Sequence, residues 1–199
     1  MAAPVACMVG GGKRTGVQVR IIAGEWRGRV LAAPPGEGTR PTAERMRQAL
    51  FDMLMHAPWA GRAIADAEVL DAFAGTGALG LEALSRGAAR AHFIETERHA
   101  LEALRANVAA CKAGDRAVVI AGDALRPKPG VACGLVFLDP PYGKDLVPKA
   151  LASLGRAGWI ASGALVIAET GREEVLKLPG EKLAERAHGA AMVTAWRIS

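Results

Sequence analysis

The sequence has little of what several large protein classes require. Its three cysteines, Cys7, Cys111 and Cys133, are scattered without metal-ligand spacing, which excludes a disulfide scaffold and a structural zinc ribbon. Sparse reduced thiols fit a cytoplasmic protein. The four histidines, His56, His92, His99 and His188, form no cluster, so no metal is expected. No apolar run reaches the roughly 18 residues of a membrane-spanning helix. The apolar start MAAPVACMV lacks the basic flank of a secretion signal. There is no internal repeat, and no linker long enough to separate two large domains. Acidic residues are scarce in the first quarter of the chain, and tyrosine occurs once, at Tyr142.

What is present describes one soluble domain with a real core: 199 residues, 51% hydrophobic and 23% charged. The net charge of +5 is unevenly placed. Residues 1–47 carry eight of the 25 basic residues and three of the 20 acidic ones, so the excess sits there and the rest of the chain is balanced. Seven of those eight are arginine, the better residue for phosphate and base edges. Such asymmetry points to a polyanionic partner.

The pattern along the chain is α/β. Residues 1–16, with GGGKRTG, read as a flexible tail. VQVRII (17–22) and GRVL (28–31) read as a small hairpin within an extension spanning 17–40. TAERMRQALFDMLM (42–55) is an amphipathic helix, with Thr42 as its N-cap and Arg45 and Arg47 facing solvent or a ligand. Near-continuous apolar strands then alternate with helices: EVLDAF, AHFIE, AVVIA, GLVFL and ALVIAE. This predicts a parallel sheet covered on both faces. KLAERAHG and AMVTAWRI flank a short turn and predict a closing antiparallel hairpin.

DAFAGTGALG (71–80) follows the first of these strands and opens a helix, with Gly75, Gly77 and Gly80 in G-x-G-x-x-G spacing. Glycines permit close backbone approach to a ligand, and a carboxylate at the next strand end, Glu95, can chelate ribose hydroxyls. Asp71 at the mouth of the loop argues against a dinucleotide, because it repels a pyrophosphate. The ammonium and sulfonium of S-adenosylmethionine would instead be attracted. Asp123, in GDAL after the third strand, is a candidate for the adenine amino group together with the backbone of Ala124.

VFLDPPYG (136–143) places Asp139 at the end of a buried strand and follows it with Pro140, Pro141 and Tyr142. An exocyclic amine on a nucleobase is a poor nucleophile, because its lone pair is delocalised into the ring. A carboxylate and the Pro140 carbonyl, accepting both of its N–H hydrogens, favour a pyramidal nitrogen that can attack a methyl group. The prolines fix φ and hold these acceptors in place. Tyr142 can stack on the base once it has left its own stack.

DPPY together with DAFAGTG resembles the class I amino-methyltransferases. RIIAGEWRGRVL (20–31) and RPTAERMRQALFDML (40–54) sharpen this to a resemblance to the bacterial RsmD family of small-subunit ribosomal RNA guanine-N2 methyltransferases. The resemblance implies a Rossmann-like, seven-stranded, mostly parallel sheet over residues 41–199, with a C-terminal antiparallel hairpin and a small N-terminal β-hairpin extension. It implies methylation of one guanine N2 in 16S ribosomal RNA, seen naked or in an assembling subunit. Asp71, Ala72, Phe73, Gly75 and Gly77 would hold the cofactor, and Asp139, Pro140, Pro141 and Tyr142 the target amine. Arg20, Trp26, Arg27, Arg29, Arg40, Thr42 and Arg45 would face the RNA, and nothing demands more than a monomer. A DNA amino-methyltransferase would need a target-recognition domain for which the chain has no room. A dehydrogenase would leave Asp139 unexplained, and a non-catalytic assembly factor would not need an intact clamp. RNA binding through this basic extension is expected to fall steeply with added salt; titration at several salt concentrations measures the slope, and a flat profile would remove the extension from phosphate contact.

Overall fold

The computed structural model describes residues 19–34, 41–143 and 145–199; of residues 41–43 only the backbone is described. The predicted tail 1–16, and Arg40 with it, lie outside the described residues. Strands β1 (Val19–Arg20) and β2 (Val30–Leu31) pair antiparallel, so the predicted hairpin forms. β1 ends at Arg20, before the end of its apolar run, and Ile22 and Ala23 turn their N–H groups onto the Glu82 carboxylate, at 2.7 and 3.1 Å, instead of continuing a strand.

Helix α1 spans Pro41–His56. It begins at Pro41, a residue suited to the first helical turn because its missing N–H would be unpaired there anyway. Thr42 therefore lies inside the helix and is not its cap. Next come β3 (Glu68–Ala72), α2 (Ala78–Ser85), β4 (Arg90–Glu95), α3 (Arg98–Ala110) and β5 (Ala117–Ala121). β6 (Cys133–Leu138), α4 (Leu146–Arg156), β7 (Ile160–Gly171), β8 (Gly180–His188) and β9 (Ala191–Ile198) complete the chain.

The seven-stranded sheet has the order β5-β4-β3-β6-β7-β9-β8. Strands β3 to β7 are parallel to one another, and β9 and β8 close the edge as the predicted antiparallel hairpin. Alternation along the central strands divides the core between two faces. Val69, Leu135 and Phe137 pack with Phe51 and Leu54 of α1, Leu81 and Leu84 of α2 and Leu104 of α3. Leu70, Val136 and Leu138 pack with Val147, Leu151 and Leu154 of α4. The order of connection reverses between β3 and β6, and ligands in open sheets bind outside the carboxyl ends of strands at such a point.

The N-terminal hairpin shares this core. Val19, Ile21, Trp26 and Leu31 are buried in the cluster that contains α2. The fully buried Glu82 carboxylate takes the two N–H groups of the extension and the Arg86 guanidinium at 2.7 Å. Ser85 adds a bond from Trp26 N–H at 3.0 Å and donates its hydroxyl to the Ala23 carbonyl at 2.6 Å. Gly24 fits because a Cβ there would lie 1.8 Å from the Ser85 carbonyl oxygen. Glu82→Ala strands Arg86 and two N–H groups, and is expected to cost about 3–5 kcal/mol of stability and to speed trypsin cleavage at Arg27 and Arg29. Urea unfolding and timed proteolysis measure both; a loss under about 1 kcal/mol would mean the extension is held by apolar contact alone.

Candidate active site

β3 delivers Asp71 and Ala72 to the carboxyl edge of the sheet. The chain then leaves through Phe73, whose φ of 69° is unusual for a residue with a side chain. The N–H groups of Phe73 and Ala74 both donate to the Ile94 carbonyl, which holds this turn. Gly75 and Gly77 have positive φ of 53° and 77°. A Cβ on Gly77 would meet Leu104 at 2.3 Å, and one on Gly80 would meet the Phe93 ring at 2.3 Å, so α2 packs tightly onto β4. Around Gly75 the space is open.

Here a cavity of about 220 Å³ opens, lined by Asp71, Phe73, Gly75, Thr76 and Asp139, with Val19 and Ala33 of the extension on its far side. Asp71 is 1% exposed and accepts the Gly80 N–H at 2.8 Å. Burial raises its carboxyl to about 8; the Gly80 bond opposes this, and the charges of Asp139 and Glu95 add to it. An acidic wall beside a glycine turn is the wrong chemistry for a pyrophosphate and the right one for a cationic amino acid attached to a nucleoside.

Glu95 and Asp123 are placed differently from a free ligand-binding carboxylate. Glu95 Oε2 accepts the Gly75 N–H at 2.7 Å, and Oε1 accepts from Thr96 and Glu97 N–H at 2.6 and 2.8 Å, so it shapes the glycine loop. Asp123 caps its own turn through Leu125 N–H at 2.8 Å and pairs with Arg126. It lines a separate recess with His92 and Trp159, and Ala124 is buried beneath. Asn107 of α3, which the sequence did not mark, ties the site together. Its amide bonds Ala32 N–H at 2.7 Å, Ala32 carbonyl at 3.0 Å and Thr76 carbonyl at 2.9 Å.

β6 ends beside β3 and β7. Ala72 pairs with Leu138, and Leu138 with Ala168, so one residue further Asp139 stands between Phe73 and Glu169. Asp139 keeps an exposed surface yet is surrounded by protein, and that burial, with the Glu169 charge, holds it above the ordinary carboxylate range. Pro140 is buried behind it, while Pro141 is exposed. Tyr142 is 48% exposed and donates its hydroxyl to Glu169. Gly143 N–H, at 2.8 Å, and Gly171 N–H, at 3.2 Å, share the Glu174 carboxylate, which ties the clamp loop to the end of β7.

Glu169 is the functional candidate that the sequence reading missed, although a carboxylate ending the strand next to Asp139 follows the same logic as Glu95. A second cavity of about 180 Å³ contains Glu169 and Arg47 and shares Asp139, Ala78 and Leu79 with the first.

The arginine-rich face is corrected in one place. Trp26 does not face RNA: it is 6% exposed, and Arg116 lies 5.0 Å above its ring. Of the two directions expected for Arg47, solvent or a ligand, burial leaves the second: it lines the second cavity, with Nη2 donating to the Arg20 carbonyl at 2.7 Å. Arg20, Arg27 and Arg45 are exposed, and Arg29, also exposed, reaches the Ala110 carbonyl.

The family model described as "Conserved hypothetical protein 95" matches residues 19–197. Ribosomal RNA small subunit methyltransferase D of Escherichia coli K12 is 43% identical over 77% of this chain and 75% of its own length. This chain belongs to the ribosomal RNA small subunit methyltransferase D family. The Haemophilus influenzae protein of the same name is 38% identical, over 81% of this chain and 83% of its own. The solved Escherichia coli structure of yhhF superposes with TM-score 0.80 at 38% identity, covering 92% of this chain and 98% of that one. The methyltransferase uses S-adenosylmethionine, and the first cavity fits it: Asp71 and Asp139 face where positive charge would lie, and Gly75 leaves room for close approach.

Asp71 gives a signed pH test. Its folded carboxyl titrates near 8 and its unfolded one near 3.9, so between about pH 4 and 8 the native state holds a proton that the unfolded chain lacks. Stability from this group is therefore full below pH 4 and is lost as pH rises through about 8. In Asp71→Asn, unfolding free energies at about pH 5 and about pH 8 are expected to differ less than in the native protein. An unchanged difference would show that Asp71 is ionised in the fold.

Proposed function

We propose that this chain methylates the exocyclic N2 amine of one guanine in small-subunit (16S) ribosomal RNA, drawing the methyl group from S-adenosylmethionine. The observation that carries this is the position of Asp139, on the shared wall of the two cavities. One cavity suits the cationic methyl donor and the other a planar base, and the carboxylate lies where they meet.

S-adenosylmethionine supplies an electrophilic methyl group when bound. Asp71 and the glycine loop orient its charged end, and Glu95 acts through that loop by holding Gly75 N–H. Asp139 and the Pro140 carbonyl accept the two N2 hydrogens and turn the nitrogen lone pair towards the methyl. Holding these acceptors fixed is worth several kcal/mol of barrier, up to roughly 7–11 in well-aligned cases. Pro140 and Pro141 supply that rigidity, and Tyr142 stacks on the base. The proton released from nitrogen as the methyl arrives passes to Asp139 or to water.

The RNA is placed along the exposed Arg20, Arg27 and Arg45, which reach phosphates on the side where the extension lines the first cavity. So short an extension reads shape more than sequence, which suits an assembling subunit over naked RNA as substrate. The protein acts as a monomer in the cytoplasm. Among the described residues no helix is long and apolar enough to cross a membrane.

With labelled S-adenosylmethionine and unmethylated small-subunit particles, label is expected on guanine N2, and Asp139→Ala is expected to lose at least about 100-fold in rate. Label on another base, or full activity in the variant, would sink the proposal. The clamp works only with Asp139 ionised. Since burial and Glu169 raise its pKa, kcat/KM should climb with pH in a range above the ordinary carboxylate value. Glu169→Gln removes the neighbouring charge and should move that climb to lower pH; an unmoved profile would take Asp139 out of the titration.

A further inference from the structure

The second cavity holds three polar side chains, Asp139, Glu169 and Arg47, among Met46, Leu50, Leu79, Ile167 and other apolar groups. The clamp accounts only for Asp139. Glu169 stands beside it at the end of β7, with its carboxylate occupied by the Tyr142 hydroxyl. Arg47 is 7% exposed and uses Nη2 on the Arg20 carbonyl, yet its buried Nε has no hydrogen-bond partner. A buried donor without an acceptor is costly and rare in native folds. This one belongs to a side chain lining the cavity in which the base is placed.

We propose that Glu169 and Arg47 select guanine by reading its Watson–Crick edge: Glu169 accepts from N1–H and Arg47 donates to O6, while Asp139 holds N2. The proposal rests on the N2 reading above and deepens it. The guanine edge presents two adjacent donor groups and then an acceptor. The site offers two neighbouring carboxylates and then a cation. Adenine would turn the N1 lone pair towards Glu169, and cytosine the N3 lone pair; each leaves a carboxylate facing an acceptor. Sites built to bond a specific donor reject analogues lacking it far more strongly than apolar pockets reject a changed shape. The hydrogen bonds balance on entry. Glu169 exchanges the Tyr142 hydroxyl for N1–H in a charge-assisted bond, Arg47 turns its guanidinium to O6 and so gives Nε the acceptor it lacks, and the freed Tyr142 ring covers the base.

The test compares two reconstituted substrates, small-subunit particles carrying either guanine or 2,6-diaminopurine at the target position. Diaminopurine keeps the 2-amino group but makes N1 an acceptor and position 6 a donor. The native protein is expected to favour guanine by roughly 100-fold or more. In Glu169→Gln the side-chain amide can accept from guanine or donate to diaminopurine, so the preference should shrink by roughly 10-fold or more. Arg47→Met should slow guanine far more than diaminopurine. Affinity for S-adenosylmethionine, measured by calorimetry, should stay unchanged in both variants. If Arg47→Met does not fold, the isosteric Glu169→Gln decides alone. Equal loss on both substrates would make these residues mere pocket walls and overturn the inference while leaving guanine N2 as the target. So would a native protein that does not discriminate. Absence of label from guanine N2 in the native protein would overturn the inference and the proposed function together.

Discussion

The structure depends on one buried carboxylate. Glu82 has no exposed surface, and its carboxylate is held by Arg86 and by two backbone N–H groups of the extension. A charge in such a place is tolerated only when every lone pair is used. Because those partners come from the extension, the extension cannot drift without exposing the cost. It carries Val19 and Ala33 to the wall of the first cavity and the Arg20 carbonyl to Arg47. The walls of both cavities thus trace back to an acid that lines neither.

The site gathers three carboxyl groups at one sheet edge. Asp71, Asp139 and Glu169 lie on neighbouring strands or just beyond them, and burial raises all three, with the charge of neighbouring carboxylates adding to it at Asp71 and Asp139. Alone this is unfavourable. It becomes favourable when a cationic methyl donor and a donor-rich base edge arrive together, because each draws these carboxyls towards the ionised form. The carboxylates so formed favour a nitrogen gaining positive charge.

Much of this was legible in the chain. Alternating apolar strands fixed the sheet, and DAFAGTG and DPPYG sat at strand ends, where the topology brings β3 and β6 together. What escaped notice depended on long-range partners. Glu82 lies in ALGLEALS, where it reads as an ordinary solvated helical acid. Nothing local announces that its partners lie 59 and 60 residues earlier. Trp26, set among arginines, reads as RNA-facing, but the turn around Gly24 carries it inward, where Ser85 binds its N–H. Arg47 and Glu169 face each other's pocket only after the sheet has ordered β7 beside β6, a fact of topology and not of spacing.

Asn107 carries a consequence for how the molecule is made. The extension leaves the ribosome first, but its anchors follow much later: Glu82 is 60 residues behind Ile22, and Asn107 is 75 behind Ala32. Until α3 has emerged, the extension lacks its Asn107 anchor and the glycine loop lacks its bond at Thr76. Asn107 bonds the extension at Ala32 and the glycine loop at Thr76 at once, so the arginine-bearing segment and the wall of the first cavity take their final places together.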